Sequence, residues 1–282
     1  GIFHLIDPLE NNGIYLENNQ YNKILVGAVQ KLFINDRLND YYWTNRAIYY
    51  WLEDLVTDDP NYKYPYDFLD NAMAPFNGIE INNTDKFSHV NHARGMASIF
   101  KYLQQIPSFD LTSIGHMFNS SGVRKITGLL NAVGTPVVNW YPKFFEDYIN
   151  GKIYDIPIDY FLEKTQHEWN IDNENDKLKI FESSDFLIKN YPDLSAKLFK
   201  INLNYADIDA SQNMLFSMKG PVTEFGLSLV IFGVQNGNAV HLGTVDAQDF
   251  EVENLKDYYD NNMRQFLVCL VNSTISSEDY LG

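Results

Sequence analysis

Apolar residues recur three and four apart through the stretch from Ile24 to Leu55, ILVGAVQKLFINDRLNDYYWTNRAIYYWLEDL, which is split by Asn35-Asp36 and Asn39-Asp40. Leu25, Ala28, Val29, Leu32 and Phe33 predict a helix over 24–33 with one buried face. Asn39 and Asp40 suit a helix N-terminus, and Trp43, Ala47, Tyr50, Trp51 and Leu55 predict a second helix behind them, so the two read as a helical hairpin. Before the pair, GIYLEN alternates as a short strand does. Pro60, Pro65 and Pro75 with several Asp-Asn pairs predict a long irregular connection over 56–88. From Asn91 a new stripe of Ala93, Met96, Ala97, Phe100 and Leu103 predicts a helix that stops at Ile106-Pro107. Two more helices are expected, one over 122–133 and one in which Thr135 caps, Pro136 takes the first turn and Gly151 closes the end.

Beyond about residue 195 the period falls to two. LFKINLNYADI, NMLFSMKG, FGLSLVIFGVQNGNAVHLGTV, DFEVENL and RQFLVCLVNST are separated by turn residues, and Asn236-Gly237 is a strong hairpin signal. The expected class is α+β with several domains: a mainly helical domain over 1–165, a linker or acidic excursion over 166–194, and an antiparallel immunoglobulin-like β-sandwich over 195–282.

Charge narrows the partners. The 282 residues carry a formal net charge of −16, which repels phosphate backbones and anionic lipid, so nucleic acid is not an expected partner. No window resembles a membrane span, and Gly1 opens the chain without a charged segment followed by an apolar one. A start without methionine reads as that of a processed or shortened chain. Cys269 is the single cysteine and sits in FLVCLV, where it is expected to pack as a small core side chain with a raised pKa.

The order of YLENNQ, ILVGAVQKLF, RAIYYWLED and HARGMASIFKYL over roughly residues 13–160 resembles extracellular bacterial zinc metallopeptidases of the gluzincin-like type. In that family a strand precedes an H-E-x-x-H helix, a second helix carries a Glu ligand, and a sandwich closes the chain. The resemblance implies that Val29 and Phe33 stand at the two His positions, Gln30 at the catalytic Glu and Arg46 at the third ligand. Val and Phe have no lone pair for zinc, Gln cannot take a proton from a bound water, and Arg is a fixed cation that repels the metal. The resemblance therefore implies a degenerate site with no cofactor, in a protein that is extracellular, periplasmic or on the cell surface.

Other chemistry is sparse. His89 and His92 in SHVNHARG are three apart, with Asp85 and His116 as conceivable companions for a metal, although loop or capping histidines are the plainer explanation. No nucleophile elbow, phosphate loop or dinucleotide fingerprint occurs. The 19 Tyr, 19 Phe and 4 Trp serve packing first, while Tyr41-Tyr42-Trp43, Tyr49-Tyr50 and Tyr62 to Tyr66 offer surface for sugars or peptides. The expected function is a non-catalytic binding or accessory protein of the bacterial cell envelope, taking a peptide, protein or glycan. The alternative is a metal-dependent hydrolase with a rebuilt site near His89 and His92.

Overall fold

The computed structural model describes residues 42–57, 71–79, 86–107, 109, 130, 133–172, 192–204, 208–209, 211–218, 226–246 and 248–275. The expected helices over 24–33 and 122–133 and the strand in GIYLEN lie outside or almost outside them. So do Val29, Gln30 and Phe33.

The first described helix, α1 (Tyr42–Thr57), buries Trp43, Ala47, Tyr50 and Trp51 along its apolar stripe. It packs on α2 (Lys86–Leu103), where Trp51 lies 6.2 Å from Phe100 between ring centroids. Two polar ties fix the pair: Lys101 Nζ reaches Asp54 at 2.9 Å, and Trp51 Nε1 donates to Gln104 at 3.2 Å. The close helix partner of 42–57 among the described residues is thus 86–103. Between them a short 3-10 turn, Ala74–Asn77, presses on α2 at Gly95, where only a residue without a Cβ fits against Asn71 and Ala74.

Helix α3 (Val137–Ile149) carries the densest aromatic packing, with Tyr141, Phe144 and Tyr148 stacked along one face at 5.7 and 5.3 Å. The two tyrosine hydroxyls are deep in the core and each finds an acceptor: Tyr141 donates to Leu194 O, and Tyr148 to Ala72 O at 2.9 Å. Thr135 does not cap this helix. Pro136 itself occupies the N-cap and its carbonyl accepts Asn139 N–H at 3.0 Å. The next helix, α4 (Ile158–Glu163), is a short one.

Among the described residues seven strands follow: β1 (His167–Ile171), β2 (Ser195–Leu203), β3 (Met214–Phe216), β4 (Leu227–Gln235), β5 (Asn238–Val245), β6 (Phe250–Val252) and, after helix α5 (Leu255–Asp260), β7 (Gln265–Asn272). Five of them form one sheet in the order β1-β2-β7-β4-β5, and β3 and β6 pair separately. The fold is α+β. The sheet is mixed where an antiparallel one was expected, because β1 runs parallel to β2. A parallel neighbour needs a crossover of a dozen residues or more, and the stretch between Ile171 and Ser195 supplies that length.

The apolar run FLVCLV is explained by cover on both faces of β7. Leu267, Cys269 and Val271 join a cluster with α1–α4, and Phe266, Val268 and Leu270 join a second with β3, β6 and α5. Asn236 and Gly237 both have positive φ, 52° and 75°, as a type I′ hairpin between β4 and β5 requires. Trp43 and Tyr50 are core residues and Tyr49 packs against the core, so these aromatics serve packing; residues 62–66 lie outside the described ones. No helix among the described residues is long and apolar enough to cross a membrane.

Candidate functional site: an amide-lined cleft

Lys200, Asn202 and Asn204 alternate with Ile201 and Leu203, so the amides share the face of β2 that holds Leu198 while the apolar pair turns to the opposite core. Register carries that polar row sideways. Asn170 on β1 stands beside Asn202, Asn202 beside Gln265 on β7, and Gln265 beside Val234 on β4. The row floors a cleft of about 680 Å³ at the end of the sheet where β1 and β2 finish and the β4–β5 hairpin turns. Asp159 of α4, the hairpin residues Asn236 and Gly237, and Tyr259, Asn262 and Arg264 complete its lining.

The amides fix one another. Gln265 Nε2 donates to Asn202 Oδ1 at 3.0 Å, and Asn202 Nδ2 donates to Asn170 Oδ1 at 2.9 Å and to Glu168 Oε1 at 2.6 Å. Asn204 Nδ2 donates to Asn170 Oδ1 at 3.3 Å and to Asp172 Oδ1 at 2.9 Å. Each side chain is therefore held in one orientation by a neighbour on the next strand, so little rotamer freedom remains for a ligand to quench. Glu168 also receives Lys200 Nζ at 2.8 Å, and the hydrogen bonds from Lys200 and Asn202 hold its carboxyl below the ordinary carboxylate range. The Arg264 guanidinium lies 4.5 Å from the Tyr259 ring centroid, and Gln235 Nε2 donates to Asn261 O at 3.0 Å, joining the hairpin to the wall.

Of the sequence-derived candidates, Arg46 stands half-buried on α1 and His92 is buried on α2, edge-on to Trp43 with ring centroids 5.0 Å apart. His89 lies in the first turn of α2, and its side chain is outside the described ones. A buried imidazole against an indole edge is a packing arrangement rather than an open ligand position. Among the described residues no group of three or more His, Cys, Asp or Glu could hold a metal ion. Cys269 is fully buried in β7, and burial pushes its thiol well above the ordinary value.

His241, which its place in the sequence left without a role, meets Glu146 of α3 at 3.5 Å through Nδ1 and Thr244 Oγ1 at 3.1 Å through Nε2. A bulge makes this possible: Ile231 faces Gly243 and Phe232 faces His241, so Leu242 is the extra residue and Thr244 returns to the face of His241. Glu146 is shared with Lys143 at 3.2 Å and Lys152 at 3.8 Å. A carboxylate held by two ammonium groups is a poor orienter for a catalytic imidazole, and the cluster braces α3 against the β5 strand.

The cleft escaped sequence reading because its floor comes from three strands far apart in the chain. The alternation of Lys200, Asn202 and Asn204 was its one local signal. Comparison with known proteins matches no family model, no curated relative and no solved structure.

Proposed function

We propose that the chain is a non-catalytic binding protein of the bacterial cell envelope, with a peptidase-like helical scaffold whose metal site has been replaced, and that the amide-lined cleft holds its ligand. Residues 195–282 serve in this proposal as an immunoglobulin-like sandwich, the small β3–β6 ribbon standing for the second layer. The supporting observation is the bonded row Gln265, Asn202, Asn170 and Asn204, a set of polar groups locked in place on the floor of an open cleft. Asn202 is buried and its amide would cost stability if left unbonded, and interlocking it with the exposed Asn170 and Asn204 and the half-buried Gln265 is the arrangement expected of a surface kept for recognition.

The ligand classes are peptide, protein and glycan. The test is a binding screen of the purified protein against arrays of all three, repeated with Asn202→Leu. Binding that disappears in the variant supports the cleft as the site. Binding unchanged in Asn202→Leu moves the function elsewhere, and an absence of binding in every class removes it.

A further inference from the structure

We infer that the ligand of this cleft is an uncharged, hydroxyl-rich glycan; this rests on the binding function proposed above. A sugar hydroxyl both donates and accepts a hydrogen bond, and it is recognised by surfaces that present both capacities at fixed positions. The row does so once its internal bonds are subtracted. Gln265 spends one N–H on Asn202, leaving the other N–H and the carbonyl oxygen. Asn204 spends its nitrogen on Asn170 and Asp172, leaving another carbonyl oxygen. Asn170 spends its oxygen on Asn202 and Asn204, and its amide nitrogen gives no bond among the described residues. A donor at Asn170 on β1, an acceptor at Asn204 just past β2 and both capacities at Gln265 on β7 thus lie along the row.

Charge selects within the polar ligands. The Glu168 carboxylate is matched by Lys200 at 2.8 Å, and Asp159 and Arg264 bring one charge of each sign to the rim. A cleft balanced in this way, on a chain of net charge −16, offers little to a cation and repels uronates, sialylated chains and phosphates. Apolar surface selects against peptide. Leu203, Val234 and Tyr259 are the apolar and aromatic residues of the lining. Peptide grooves draw their affinity from anchors sunk in apolar sockets, or from pairing along a strand edge, whereas here the amides stand on the face of the sheet. At about 680 Å³ the cleft has the volume of a small-ligand site.

The experiment is titration calorimetry of the whole protein with three probe sets: neutral hexaoses (cellohexaose, mannohexaose and N-acetylchitohexaose), hexagalacturonate, and a library of uncharged hexapeptides. At least one neutral hexaose should bind, hexagalacturonate should not, and Asn170→Ala should weaken binding about tenfold, the effect of one hydrogen bond to a fixed amide. Asn204→Ala, at an exposed position beyond the end of β2, gives the same test if Asn170→Ala is poorly folded by circular dichroism. Binding of the peptides, weakened by these variants, would overturn the glycan assignment, and binding of hexagalacturonate would overturn its neutrality, each leaving the cleft as the binding site. Silence from all three sets would overturn the glycan assignment, and binding indifferent to both variants would overturn the cleft as the site.

Discussion

Replacing Gly95 with alanine sets two terms of opposite sign against each other. Gly95 lies in the middle of α2, where alanine raises helix propensity by about 1 kcal/mol. Against that gain, a Cβ at this position would stand 2.1 Å from the carbonyl oxygen of Asn71 and 2.5 Å from the Cβ of Ala74. Ordinary contact begins near 3.4 Å, so something must move by more than an ångström. Neither neighbour can yield cheaply. Asn71 and Ala74 are buried, the obstructing oxygen belongs to the backbone, and Tyr148 pins the adjacent Ala72 carbonyl with a 2.9 Å bond. Overpacking of this kind costs about 1–3 kcal/mol when side chains can adjust, and the upper end applies where backbone must shift. The expected net effect of Gly95→Ala is a loss of about 2 kcal/mol, which for a chain of this size lowers Tm by about 3 °C. Scanning calorimetry on both proteins measures it, and Gly95→Ser should fall further. An alanine variant melting at or above the parent would mean that α2 does not rest on the 71–74 turn, and the reasoning would fail.

Three further outcomes are expected. Tyr141→Phe strips the buried Leu194 carbonyl of its donor and should cost about 1–3 kcal/mol in urea unfolding, whereas an unchanged midpoint would mean that the bond carries no weight. Burial raises Tyr141 and Tyr148 well above 10.0 and Cys269 well above 9.0, so the folded protein keeps protons that the unfolded chain releases. Their stabilisation is full below those ordinary values and is lost as pH rises toward the folded ones, at up to about 4 kcal/mol per pH unit above about pH 10; equal stability at about pH 8 and about pH 11 would contradict it. Asn236→Ala should weaken the β4–β5 hairpin by about 1 kcal/mol because alanine tolerates φ of 52° poorly, and Asn236→Gly should restore most of the melting temperature; equal losses in both would point to the Asn side chain instead.

What could be read from the sequence was what repeats locally. The large apolar side chains of α1, α2 and α3 keep three- and four-residue spacing in the chain, even though from 91 to 103 only Asn91, Arg94 and Lys101 escape burial, and FLVCLV announces a central strand because both of its faces are covered. Asn236-Gly237 carries its turn geometry in two residues. Other elements left no such trace. β1 has one buried residue in HEWNI and sits in an acidic stretch, so no alternation marks it, and its parallel pairing depends on a partner residues away in β2. Helices α4 and α5 are six residues each, too short to complete a stripe. Thr135 carried a capping signal that Pro136 overrode by taking the N-cap position with extended ψ. The cleft was illegible for a different reason: Asn170, Asn202 and Gln265 become neighbours only through strand register. His92 shows the reverse case, in which a residue with metal chemistry in its side chain is placed against Trp43 in the core.

The most direct measurement is an NMR titration of uniformly 15N-labelled protein with the neutral hexaoses, following the side-chain amide signals of Asn170, Asn202, Asn204 and Gln265. A bound glycan should shift these four signals together in a saturable way, while the amide of Asn272, which donates to Pro192 O at 3.0 Å away from the cleft lining, stays in place. Saturable shifts confined to other residues, or four signals that never move, would contradict the assignment of this cleft as the place where the protein holds a glycan.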